Sequence, residues 1–287
     1  MAAVRIGIVF YLLFWAQSLA KRLCEYGTEP GYWDLNKKPG SRYELANDSC
    51  AYQNYLAQET FEKSHLRILF LSDSLDTFIL KSVCLHQINL NFRWNLTVRE
   101  NLDQKRHQSL NYCEIGNFQL GMYYVPGVNP IGPYHMYVQG NAIERTNFAK
   151  EQFWEIFHTI PDTIIIASCY WDMIALNMQQ KHFTKQIVFD YAKNLNNWIR
   201  HIRSAFNSTN LRIIYHTHPE SVHPQYSNFS YLNMAGRSVA RQQMLEVVDY
   251  EQISRIFRPA ELMREDGVHP NDWFCMEIFN LYLNMLL

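Results

Sequence analysis

Two short stretches of this sequence hold residue types that can do acyl chemistry. Ser74 stands in Leu71-Ser72-Asp73-Ser74-Leu75, and Asp266 and His269 stand in Asp266-Gly267-Val268-His269-Pro270. A serine hydroxyl is a weak nucleophile at neutral pH and needs a base beside it. Histidine is a base near pH 7, and a carboxylate can fix its tautomer and stabilise the imidazolium. In a turn containing Gly267 and Pro270, Asp266 and His269 can project to one side. Each stretch also has a plainer reading. Ser72, Asp73 and Ser74 are residue types that cap helices, and Asp-x-x-His in a turn can simply be solvated.

The flanking pattern bears on the choice. Leu66–Leu71 is an apolar run that stops at Ser72-Asp73-Ser74, and from Asp76 to Ile88 Phe78, Ile79, Val83 and Ile88 recur at helical spacing. That is a strand, a tight turn and a helix. Gln119–Val125, Thr163–Ala167 and Leu211–Tyr215 read as further strands. Phe183–Phe206, Arg237–Val248 and Asp272–Leu287 read as helices with an apolar face. β-branched runs alternating with helices imply a mostly parallel sheet covered on both faces, with ligands at the carboxyl ends of its strands. The polar punctuation falls at those ends: Ser72–Ser74, Gly127, Ser168–Asp172 and Thr217-His218.

Together these residues resemble the SGNH, or GDSL-type, hydrolase superfamily. Leu71–Leu75 looks like its nucleophile block, and Asp266–Pro270 looks like its closing Asp-x-x-His block before the last helix. Gly127, after Tyr123-Tyr124-Val125, is similar to the glycine whose N–H serves an oxyanion hole. Ser168-Cys169-Tyr170-Trp171-Asp172 is closest in form to the third block of the eukaryotic PC-esterase-like branch. The resemblance spans Leu66 to Leu287. It implies an α/β fold, a three-layer α/β/α sandwich of flavodoxin-like type with a roughly five-stranded central sheet. It implies Ser74, Asp266 and His269 as catalytic residues, with Ser74, Gly127, Trp171 and Ser168 as candidate oxyanion donors. Asp73 and Asp172 would support them. Two positions depart from the family pattern: Ser72 replaces a glycine, and Trp171 replaces an asparagine. The activity implied is that of an esterase or acyltransferase on O-acyl esters, acetyl esters of glycans included. No cofactor and no metal are expected.

The chain has 287 residues, 48% hydrophobic and 18% charged, enough apolar content for a sizeable core. The formal net charge of −1 supplies no field to attract nucleic acid. Met1–Arg5 carries one positive charge, Ile6–Ala16 is apolar, and Ser18-Leu19-Ala20 offers small residues for cleavage. Such a run is shorter than the ~20 residues of a membrane span, so residues 1–20 read as a signal peptide, or else as an uncleaved signal anchor. Membrane attachment is expected only in the second case, and the sequence leaves the oligomeric state open. Residues 21–64 read as an irregular, cysteine-containing lead-in and 65–287 as the α/β domain.

Sequons at Asn47, Asn95, Asn207 and Asn228 fit a secretory route to the lumen or outside. Of the six cysteines, Cys24, Cys50, Cys84 and Cys113 are favoured for disulfides and Cys169 for a buried thiol. Two other readings compete. His216-Thr217-His218, with His223, could hold a metal in a metal-dependent hydrolase. Alternatively the fold could serve as an inactive secreted glycoprotein that binds a ligand.

Overall fold

A computed structural model describes residues 24–38, 42–47, 50–57, 63–91, 98–102, 108–129, 138, 140–179, 181–219, 228–255 and 259–287. The expected signal segment 1–20, the sequon at Asn95 and His223 lie outside the described residues.

The lead-in carries β1 (Gly31–Trp33) and β2 (Tyr43–Leu45), an antiparallel pair. It is therefore less irregular than its Gly, Pro and Asn content suggests. Next come β3 (Arg67–Ser72), α1 (Ser74–Asn91), β4 (Val98–Asn101), β5 (Asn111–Ile115) and β6 (Phe118–Tyr124). They are followed by α2 (Ala142–Phe157), β7 (Thr163–Ala167), α3 (Tyr170–Met178), α4 (Lys185–Phe206) and β8 (Arg212–His216). The chain closes with α5 (Phe229–Gln242), β9 (Glu246–Val248), α6 (Tyr250–Arg255), α7 (Pro259–Leu262) and α8 (Asp272–Leu286).

The strand order is β4-β5-β6-β3-β7-β8-β9 in one seven-stranded sheet. From β6 to β9 all neighbours are parallel, and β4 and β5 extend the β6 edge antiparallel. The five parallel strands thus run 2-1-3-4-5 in chain order, the doubly-wound arrangement. The expected α/β/α sandwich with a mostly parallel sheet is what the chain forms. Strand side chains alternate between its faces. Ile68, Phe70, Ile165 and Ile214 pack on the side of α1 and α8. Leu69, Leu71, Ile164, Ile166 and Tyr215 pack on the side of α2, α4 and α5. Both layers are apolar, so a one-residue slip of β3 would exchange the two sets and turn Ser72 away from the α1 side.

One sequence expectation needs correction. Arg237–Val248 is not a single helix: α5 ends at Gln242, and Met244 takes a left-handed φ of 55°. Glu246-Val247-Val248 then pairs with β8 as the fifth parallel strand. The helix-like apolar spacing across that junction came from two elements packing on the same core.

α8 is buried almost all round, from Phe274 through Asn284. The lead-in supplies its outer cover. The carboxamides of Asn280 and Asn284 donate to Gln53 O at 2.9 and 2.8 Å, and buried Glu277 accepts from Arg42 N at 3.2 Å. Disulfides join Cys24 to Cys50 within the lead-in and Cys84 of α1 to Cys113 of β5. Cys169 is a buried free thiol, as is Cys275. Among the described residues no helix is long and apolar enough to cross a membrane.

Candidate active site

Ser74 is the first residue of α1, two positions past the end of β3. Asp73 makes that turn. Its Oδ1 accepts the Leu75 N–H at 3.0 Å, satisfying one of the helix's first donors. The side chain is buried, and burial is the main cause that pushes its pKa up to about 7. Ser72, at the position where the SGNH pattern it resembles has glycine, is itself strand. Its register partner is Tyr124 and it is fully buried, so the position does not require glycine's backbone freedom.

Asp266 and His269 sit on the turn between α7 and α8. Met263 and Pro270 bridge antiparallel at its base, with Arg264 N donating to His269 O at 2.8 Å. Gly267, at φ 68°, takes the left-handed conformation the turn requires. Asp266 Oδ1 accepts the N–H groups of Val268 and His269, both at 2.9 Å. Its Oδ2 lies 2.8 Å from His269 Nδ1. Partial burial would raise the Asp266 pKa, but the His269 N–H, the His269 ring and the Val268 N–H outweigh it and hold the group at about 2. The Nδ1 nitrogen thus carries the proton toward the carboxylate, leaving Nε2 as the acceptor. That Nε2 lies 2.9 Å from Ser74 Oγ.

Two neighbours steady the ring: Phe78, which the sequence marks as part of the helix's apolar face, and Arg264, which it does not mark. Phe78, one turn along α1 from Ser74, packs 4.6 Å from His269 between ring centroids. Arg264 lies 4.3 Å over the other ring partner, Phe78, and also donates to Pro270 O and Asp272 Oδ1 at 3.1 and 2.6 Å. The i, i+4 spacing of Ser74 and Phe78 was the available signal.

Gly127 follows β6, the strand beside β3, and so reaches the same sheet edge as Ser74. A Cβ at Gly127 would sit 2.9 Å from the Asp172 carboxylate. Asp172 is buried and accepts from Asn129 N at 2.8 Å, Val128 N at 3.4 Å and Ser168 Oγ at 2.5 Å. Burial raises its pKa to about 6, against the hydrogen bonds from Ser168, Asn129 and Val128. The Ser168 hydroxyl therefore spends its only proton on Asp172. Trp171, in the first turn of α3, is half-buried with its ring edge-on to Tyr124 and Tyr170.

Of the metal alternative's His donors, His216 and His218 are described, and both are engaged elsewhere. His216 Nε2 lies 2.7 Å from Asp76 Oδ2 and its Nδ1 3.0 Å from Thr217 O, so both nitrogens face acceptors. His218 Nδ1 faces Pro219 O at 2.8 Å. Only His218 Nε2 is uncommitted, and it lies buried between Tyr170 and Phe229. No group of three or more metal-ligating side chains occurs among the described residues. A cavity of about 660 Å³ lies at the opposite sheet edge, where Arg212 and Glu246 begin their strands, away from Ser74 and His269.

No family model matches this chain, and no curated protein does. Several solved structures are similar to it. One is a peptidoglycan O-acetylesterase, at 12% identity over 80% of this chain and 93% of that one, with a TM-score of 0.48. Another is Axe2, an acetylxylan esterase from Geobacillus stearothermophilus, at 15% identity over 78% and 95%, with a TM-score of 0.45. A third is a lipase/acylhydrolase from Enterococcus faecalis, at 15% identity over 77% and 92%, with a TM-score of 0.42.

Proposed function

We propose that the chain is a serine-dependent esterase or acyltransferase that acts on O-acyl esters. The observation that carries this reading is the unbroken hydrogen-bonded line from Asp266 through His269 to Ser74, with separations of 2.8 and 2.9 Å. Ser74 Oγ attacks the acyl carbonyl while His269 Nε2 takes its proton, and Asp266 holds the resulting imidazolium. The tetrahedral oxyanion is received by the backbone N–H groups of Ser74 and Gly127, each such donor contributing about 3 kcal/mol to the barrier reduction. The C–O bond to the leaving alcohol breaks, and His269 returns the proton to that oxygen. Water or a second alcohol then attacks the acyl-enzyme through the same base, so hydrolysis and transfer differ only in the acceptor.

Asp73 and Asp172 are supporting groups: one caps the helix that presents Ser74, the other holds the loop of Gly127. Trp171 walls the site beside Tyr124. The acyl group is small, an acetyl ester, and its carrier is a glycan. The protein works in the secretory pathway, where the cystines Cys24–Cys50 and Cys84–Cys113 persist. Release of 4-nitrophenol from its acetate and of acetate from acetylated oligosaccharides tests the reading. Both are expected from the wild type and neither from Ser74→Ala. Folded wild type that hydrolyses no ester overturns it in favour of a binding module.

A further inference from the structure

Behind the Ser74–His269 contact lies a second carboxylate–imidazole pair that takes no part in the proposed acyl chemistry. Asp76 is two residues past Ser74, in the first turn of α1, and His216 ends β8. Their side chains are fully buried and 2.7 Å apart. The two belong to elements that are not sheet neighbours: β3 feeds α1, and β7 lies between β3 and β8. The position between them on β7 is Ala167, the register partner of His216. Its methyl group leaves room for Asp76 to reach across the strand. The imidazole is held on every side. Its Nδ1 faces Thr217 O at 3.0 Å, and Tyr250 stacks on its face at 4.3 Å. Tyr250 in turn shares a 2.7 Å hydrogen bond with Tyr282 of α8.

A buried ion pair is a poor source of net stability, because desolvation offsets most of its Coulomb attraction. What it does supply is direction. We infer that Asp76 and His216 are positioning residues, tying the first turn of α1 to β8 so that Ser74 Oγ is held within reach of His269 Nε2. The inference rests on the serine-nucleophile reading above. The first turn needs such a tie. It opens a long helix that is pinned separately, past its midpoint, by Cys84–Cys113, and a rotation of the near end would swing Ser74 directly. A misplacement of about 1 Å can cost about 100-fold in rate. Among the described residues, Ser72 Oγ and Asp76 Oδ1 are buried without a hydrogen-bond partner, so the contact with His216 is the one hydrogen bond of the Asp76 carboxylate there.

The test uses the full chain carrying Asp76→Asn, His216→Gln, or both. Readouts are the rate of Ser74 modification by a fluorophosphonate, kcat and KM for 4-nitrophenyl acetate, and hydrogen exchange of the segment 74–80. Each single change is expected to slow modification and kcat together by about 10- to 100-fold, with KM within about twofold. The double change should be no worse than the worse single one. Exchange should quicken in 74–80 and not in β3 or β7. Folded variants with wild-type rates and unchanged exchange overturn the inference. If the wild type itself is not modified, the serine reading fails, and exchange alone still decides whether the tie exists. Should the variants not fold, nuclear magnetic resonance of the wild type decides. A slowly exchanging proton on His216 Nε2 supports the tie, and an Nε2 that carries none contradicts it.

Discussion

His269 Nε2 stands 2.9 Å from Ser74 Oγ, across 195 residues of chain. Two local structures make that meeting: the β3–α1 turn, and a hairpin-like loop folded by Asp266 upon its own neighbours. With Asp266 held at about 2, its carboxylate stays charged through any practical assay range. Activity on 4-nitrophenyl acetate is therefore expected to show no acid limb from Asp266 above pH ~4. Asp266→Asn should lower kcat about 1,000-fold or more, because an amide that keeps its oxygen on the Val268 and His269 N–H groups turns its NH2 toward Nδ1 and so forces the wrong imidazole tautomer. A rate loss under tenfold would show that the carboxylate is not needed.

Gly127 and Asp172 give a paired prediction. In Gly127→Ala the new methyl would meet the Asp172 carboxylate at 2.9 Å, so either the loop or α3 must shift. Asp172→Asn removes part of the acceptor capacity that holds Val128 N, Asn129 N and Ser168 Oγ. Each should cut kcat about 10- to 100-fold with little change in KM, as expected for groups that serve the transition state. Steady-state kinetics check this, and unchanged kcat in Gly127→Ala would remove that residue from the oxyanion site.

Asp73 predicts a pH effect on stability. Its folded pKa is raised to about 7, above the ~3.9 of an unfolded aspartate, so between those values the folded state binds more protons. Its contribution to stability is present at low pH and lost as pH rises through about 7. Asp73→Asn keeps a capping oxygen and removes the titration. Relative to wild type, the variant should gain stability from pH 4 to pH 8, by about 2–4 kcal/mol at the upper end. Urea unfolding at the two pH values measures it, and a constant difference would contradict the assignment.

The Cys84–Cys113 bridge closes a 29-residue separation between α1 and the antiparallel edge of the sheet. Replacing both cysteines with serine should cost about 3 kcal/mol in urea unfolding while sparing the rate per folded molecule.

What the sequence made legible follows physical signal strength. β3, β7 and β8 are apolar runs that stop at polar residues, and their identity as buried parallel strands was plain. The Asp-x-x-His turn was equally plain, because Gly267 and Pro270 mark it and its hydrogen bonds are local. Other parts carry weaker signals. β9 is only three residues long and continues the apolar face of α5, so it read as helix. α2 was passed over, although Asn141 and Glu144 form a capping box that announces its start. Antiparallel β4 and β5 alternate partly polar residues and lack a long apolar run. The Asp76–His216 pair could not be read at all, since it depends on β8 lying one strand beyond β7 and on the small side chain at Ala167.

Everything proposed for this site depends on Ser74 being a nucleophile activated by His269. Intact-protein mass spectrometry after treatment with a fluorophosphonate tests it most directly. One adduct per chain is expected, mapped to Ser74, absent in Ser74→Ala and slowed about 1,000-fold or more in His269→Ala. Folded wild-type protein that takes up no adduct, or takes it up equally in Ser74→Ala, would contradict it.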